Sequence, residues 1–153
     1  MDSKKARLKD IATAIVAVVE PETPASVAAQ LMRKHHIGSL VVVDASEQTR
    51  PIGIVTDRDL VLALMAEGLD PQLFTAGDIM SVDLVLGHPE MDLMEAVGLM
   101  RQHRLRRLVI TDKAQRLVGI VAMEDVLETL ARELSDLAEA MRGGRDREFS
   151  QRA

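Results

Sequence analysis

The chain states one pattern twice, and this internal repeat constrains its fold more than any single residue does. Asp10-Ile11 is answered by Asp78-Ile79, and Gly53-Ile54-Val55-Thr56-Asp57-Arg58-Asp59 by Gly119-Ile120-Val121-Ala122-Met123-Glu124-Asp125. A spacing of 68 residues holds from Asp10/Asp78 through Pro21/Pro89, Ala28/Ala96, Met32/Met100, His35/His103 and Val41/Val109 to Asp44/Asp112, and from Gly53/Gly119 onward it is 66. The length change falls between two apolar runs, where Ala45 to Arg50 has a shorter counterpart in the second copy, as a hairpin loop allows.

Copies this short are marginal alone because a small core buries too little surface, so they are expected to pack on one another. The 153 residues are 47% hydrophobic but include two Phe and no Trp or Tyr, so the core is aliphatic and no aromatic platform exists for stacking bases. A net charge of −5 without a basic stripe argues against nucleic acid as a partner. The absence of cysteine excludes disulfides, thiolate catalysis and Cys-ligated metal, and fits a cytoplasmic protein. The apolar stretch from Ile11 to Val19 falls short of the roughly 20 residues a membrane span needs and runs into Glu20-Pro21 rather than a cleavage site.

Each copy reads in the same order. A β run (Ile15 to Val19; Leu84 to Leu86) ends near a Pro, and in the first copy Thr23-Pro24 supplies an N-cap and a first-turn proline. A helix follows, its apolar face spaced i, i+3, i+4, i+7 at Ala28, Leu31, Met32 and His35, and at Ala96, Leu99, Met100 and His103. Two strands come next, Leu40 to Val43 and Ile52 to Val55, matched by Leu108 to Ile110 and Leu117 to Val121. They are apolar along their length, as strands covered on both faces are. A second helix begins at Asp57 and at Met123.

This β-α-β-β-α order, closing on Gly-Ile-Val-Thr-Asp-Arg-Asp-Leu, resembles the cystathionine-β-synthase (CBS) domain, and two in tandem resemble a CBS pair. The resemblance covers about residues 8 to 131. It implies an α+β fold in which repeats 8–67 and 75–131 pack as one pseudo-symmetric module, followed by a C-terminal helix extension (132–142) and a flexible tail (143–153). It also implies a regulatory module, not an enzyme, that needs no cofactor and senses an adenosine-containing ligand such as AMP, ATP, ADP, NAD or S-adenosylmethionine.

Thr56 followed by Asp59 is a capping box in its own right, with the hydroxyl accepting an amide and the acid favoured in the first turn. The alternative reading is that the same junction presents amides and a hydroxyl to an anion while the carboxylate accepts bonds from ribose hydroxyls. The resemblance places Thr56, Arg58 and Asp59 on the nucleotide, facing Met80, Val85, Leu105, Arg106 and Arg107. Asp125 would face Thr13, Ala17, Ile37, Gly38 and Ser39. Copy two lacks the hydroxyl, at Ala122, and copy one lacks the arginines, so the Asp125 cleft is expected to be the poorer phosphate site. The four histidines have no ligand spacing, so no metal is expected.

Met123, Leu127, Leu130, Leu134, Leu137 and Met141 repeat at 4, 3, 4, 3, 4, so the last helix carries an apolar seam expected to stop at Gly143-Gly144. The seam would either fold back on its own module or join a homodimer. The leading expectation is a nucleotide sensor that modulates a protein target; the alternative is a ligand-free interaction and dimerisation module.

Overall fold

The computed structural model describes residues 6–14 and 16–152; the basic start through Lys5, the first β-run residue Ile15, and Ala153 lie outside the described residues. Its elements in chain order are α1 (Leu8–Ile11), β1 (Val18–Val19), α2 (Ala25–His35), β2 (Ser39–Val43), β3 (Pro51–Thr56), α3 (Asp57–Leu60) with a π-helical turn at Val61–Met65, α4 (Ala76–Ile79), β4 (Leu86–Gly87), α5 (Leu93–His103), β5 (Arg107–Thr111), β6 (Leu117–Ala122) and α6 (Met123–Arg152). Each repeat forms a three-stranded sheet, β1-β2-β3 and β4-β5-β6, parallel then antiparallel. The two copies even share a register shift, at Val42/Val43 and at Ile110/Thr111.

The middle strands are apolar throughout because both of their faces are covered. Leu40 and Val42 pack toward Ala28 and Met32 of α2, whereas Val41 and Val43 meet Val109 of the other repeat. Likewise Leu108 and Ile110 pack toward Ala96 and Met100 of α5. The copies therefore bury one sheet against the other. The i+7 histidines are not part of the helix faces: His35 and His103 are exposed, because each helix ends there in a left-handed residue, His36 (φ 52°) and Arg104 (φ 55°).

The repeats also exchange their opening segments. Leu8 and Ile11 of α1 sit in the core of the second repeat, and Ala76 and Ile79 of α4 sit in that of the first. The exchange extends to the sheets. Thr13 pairs with Ile120 through N–H to O bonds of 2.9 and 3.1 Å, and Ser81 pairs with Ile54 at 2.9 and 3.1 Å. Close approach at these bridges explains the repeated glycine: a Cβ at Gly53 would lie 2.5 Å from Met80 Sδ, and one at Gly119 would lie 3.1 Å from the Thr13 carbonyl.

The exchange corrects one expected cap. The Ala25 amide is taken by the Phe74 carbonyl at 2.8 Å, so α2 starts one residue late with Pro24 as N-cap, and the Thr23 hydroxyl accepts from Glu20 N at 3.2 Å. The hairpin loops behave as expected. The two-residue difference follows Asp44 in one copy and Asp112 in the other, and their carboxylates accept loop amides at 2.8–3.2 Å (Ser46, Glu47) and 2.9–3.0 Å (Ala114, Arg116).

The C-terminal helix departs from expectation. Met123, Val126 and Leu130 hold its first turns on the second repeat, but every residue from Ala131 to Arg152 is exposed, so the helix does not fold back. Nor do Gly143 and Gly144 stop it; neither takes a positive φ, and the helix runs through them to Arg152. At 1.5 Å per residue its 30 residues span about 45 Å.

Candidate functional site

The exchanged segments create two related clefts, each floored by one repeat's strand-to-helix junction and walled by the other repeat. The first, of about 440 Å³, is lined by Thr56, Arg58, Asp59, Val85, Leu105, Arg106 and Arg107, all expected from the sequence. The second, of about 700 Å³, gathers Thr13, Ala17, Ile37, Gly38, Ser39 and Asp125, again as expected, together with Ala122. Both volumes lie in the range of small-molecule pockets, about 300–1,000 Å³.

At the first junction the capping box is present: Thr56 Oγ1 accepts from Asp59 N at 3.1 Å and Asp59 Oδ2 accepts from Thr56 N at 2.8 Å. This uses one carboxylate oxygen and one hydroxyl lone pair. The Thr56 proton and Asp59 Oδ1 face no described protein partner and remain free for a ligand. At the second junction half of the box survives, with Asp125 Oδ2 accepting from Ala122 N at 2.9 Å. The two junctions begin alike, since Asp57 N donates to the Gly38 carbonyl at 3.0 Å and Met123 N to that of Arg106 at 2.8 Å.

Three expectations need correction. Met80 does not line the first cleft; it packs against Gly53 in the core, and the neighbouring Ser81 lines the cleft instead. In an extended segment one residue step reverses the side chain, and Ser81, not Met80, is the repeat equivalent of Thr13. Arg106 is not a free cation, because its Nη2 donates to Glu124 Oε1 at 3.1 Å. Glu124 is in turn held below the ordinary carboxylate range, first by its own backbone amide and then by Arg106. Finally, Arg107 borders both clefts, so the second is not without a guanidinium.

Sequence reasoning missed Asp57, Asp83 and Arg104 in the first cleft and His35 and His36 in the second. The signal was present in the repeat: His36 and Arg104 are equivalent left-handed residues, and each faces the cleft beside its own middle strand. The linings share an aliphatic character, with Val16, Ala17, Leu31, Ile37 and Ile120 in one and Ile54, Leu84, Val85, Leu105 and Val109 in the other. Such walls can sandwich a flat base without aromatic stacking. No group of His, Cys, Asp and Glu that could hold a metal occurs among the described residues.

The CBS domain family model matches residues 8–66 and 76–132. The CBS domain-containing protein YhcV of Bacillus subtilis is 44% identical over 119 residues, covering 78% of this chain and 81% of that protein. An uncharacterized Methanopyrus kandleri protein is 40% identical over 119 residues, and the match spans 78% of this chain but only 60% of that relative. Among solved structures, a CBS domain protein of Pyrobaculum aerophilum complexed with AMP shares the fold with a TM-score of 0.74 at 22% identity, covering 83% of this chain and 99% of that one.

Proposed function

The chain belongs to the CBS domain family, and from that premise we propose that it is a regulatory sensor that binds an adenosyl ligand, of the AMP, ADP, ATP, NAD or S-adenosylmethionine type, in the clefts between its repeats. The observation that carries this reading is the pair of matching junctions. Each repeat sets a carboxylate at a cleft floor, fixes it through one oxygen to its own backbone, and leaves the other oxygen for ribose hydroxyls. The aliphatic walls suit an adenine ring. Arg58, Arg104, Arg106 and Arg107 suit phosphate or another anionic extension at the first cleft. That a Pyrobaculum relative of the same fold was solved with AMP supports the ligand class.

The role is regulatory, in the cytoplasm. The protein works as a homodimer and passes ligand occupancy to a protein target through a surface outside the clefts. No helix among the described residues is long and apolar enough to cross a membrane. The exposed seam of α6, with Leu127, Leu134, Leu137 and Met141 each 59–67% exposed, favours a second reading, a dimerisation module whose clefts stay empty. Titrating the five ligands while following thermal unfolding separates the two, because a ligand that binds only the folded state raises apparent stability. A rise of several degrees with at least one of them is expected; no shift at millimolar ligand would leave the interaction module.

A further inference from the structure

Along α6 the charges are segregated. From Met123 to Met141 the helix carries six carboxylates (Glu124, Asp125, Glu128, Glu133, Asp136 and Glu139) against one arginine, Arg132, whereas beyond Met141 four arginines (Arg142, Arg145, Arg147 and Arg152) face two acids. The acidic half is crossed by the exposed leucine seam, widened on one side by Ala131 and Ala138. The basic end cannot reach the acidic base of its own helix, since Glu128 and Arg147 are 19 residues apart on one continuous helix, about 28 Å.

We propose that the seam of α6 is covered by α6 of a second copy lying antiparallel, so that each arginine-bearing end rests on the partner's acidic base. A parallel pair would set acidic half against acidic half and basic end against basic end, which like charges oppose. Antiparallel pairing about Leu134, the midpoint of the seam between Leu127 and Met141, brings Leu127 opposite Met141 and Glu128 close to Arg142. This rests on the homodimer named above and adds its surface and its direction.

Since the chain has no cysteine, Ser150→Cys places a single spin label on the helix end. Ser150 lies 16 residues from Leu134, so antiparallel pairing predicts labels roughly 40–50 Å apart, whereas parallel pairing brings them within about 20 Å. The full chain is expected to run as a dimer by light scattering, with the long distance, and to dissociate at least tenfold more readily when Arg142, Arg145 and Arg147 are changed to Glu. Leu134→Glu with Leu137→Glu should give a folded monomer that still binds nucleotide. A short label distance, or a dimer indifferent to both sets of changes, overturns the inference while leaving the homodimer; a monomeric parent removes both.

Discussion

The two clefts are built by the same elements and differ in a handful of side chains. At the first floor stand Thr56, Asp57, Arg58 and Asp59; at the second the same positions hold Ala122, Met123, Glu124 and Asp125. Backbone geometry is nearly indifferent to the change, since both acids still accept the amide three residues back, at 2.8 and 2.9 Å. What the repeat conserves is the frame and the acid at the cleft floor. What it varies is the charge and hydrogen bonding around that acid. Duplicated sites of this kind can share a core ligand and still respond to different concentrations or extensions of it.

The largest expected effect of breaking the comparison is at the acids. Asp59→Ala should weaken nucleotide binding at the first cleft by at least about 1.5–3 kcal/mol, roughly 10- to 150-fold, through loss of bonds to a charged acceptor. Asp59→Asn should lose less, and Asp125→Ala should act only at the second cleft. Calorimetry on each variant checks this, and a folded Asp59→Ala protein that binds like the parent would leave capping as the residue's whole role.

Next come the exchanged segments. Gly53→Ala must displace Met80, whose Cβ, Cγ and Sδ all stand 2.5–3.1 Å from the new carbon, and should destabilise by about 1–3 kcal/mol in denaturant unfolding. Gly119→Ala, with its nearest neighbours at 3.1 and 3.2 Å, should cost less. An equal cost at both would mean that the two bridges are equally tight, against the difference in their close contacts. The opposite sign is expected at Thr111, buried at the position where the first repeat has Val43, with its hydroxyl lacking any hydrogen-bond partner in the structure. Thr111→Val should stabilise by about 1 kcal/mol or more, and a loss of stability would show that the hydroxyl is satisfied in solution.

The smallest effect concerns Arg106. Glu124→Gln releases the guanidinium and should tighten phosphate-bearing ligands at the first cleft roughly twofold to fivefold, as suits an exposed ion pair. Because Glu124 is depressed from its ordinary value of 4.5, its pairing with Arg106 persists through neutral pH and is lost only as pH falls through the lower folded-state value. An affinity unmoved by Glu124→Gln would place the phosphate away from Arg106.

The repeat, strand order, sheet-on-sheet core and about half of the cleft linings were legible because the repeat puts each residue beside a known counterpart. The exchange of α1 and α4 was not: four-residue helices carry no periodicity, and their apolar residues Leu8, Ile11, Ala76 and Ile79 do not say which core receives them. The Met80 assignment failed for a related reason, since face in an extended segment depends on counting from a bridge that only the fold reveals. Gly143-Gly144 misled because glycine propensity costs only about 1 kcal/mol per residue and sets no φ by itself. Ion pairing such as Arg106 with Glu124, 18 residues apart, depends on the junction that brings them together.

Calorimetric titration of the parent with AMP and with adenosine tests the unequal clefts most directly. Two sites per chain are expected, the tighter abolished or strongly weakened by Asp59→Ala, with AMP affinities about one to two orders of magnitude apart and a smaller gap for adenosine, which lacks the phosphate that Thr56 and the arginines would hold. Two equal AMP sites, or a gap just as wide for adenosine, would contradict it.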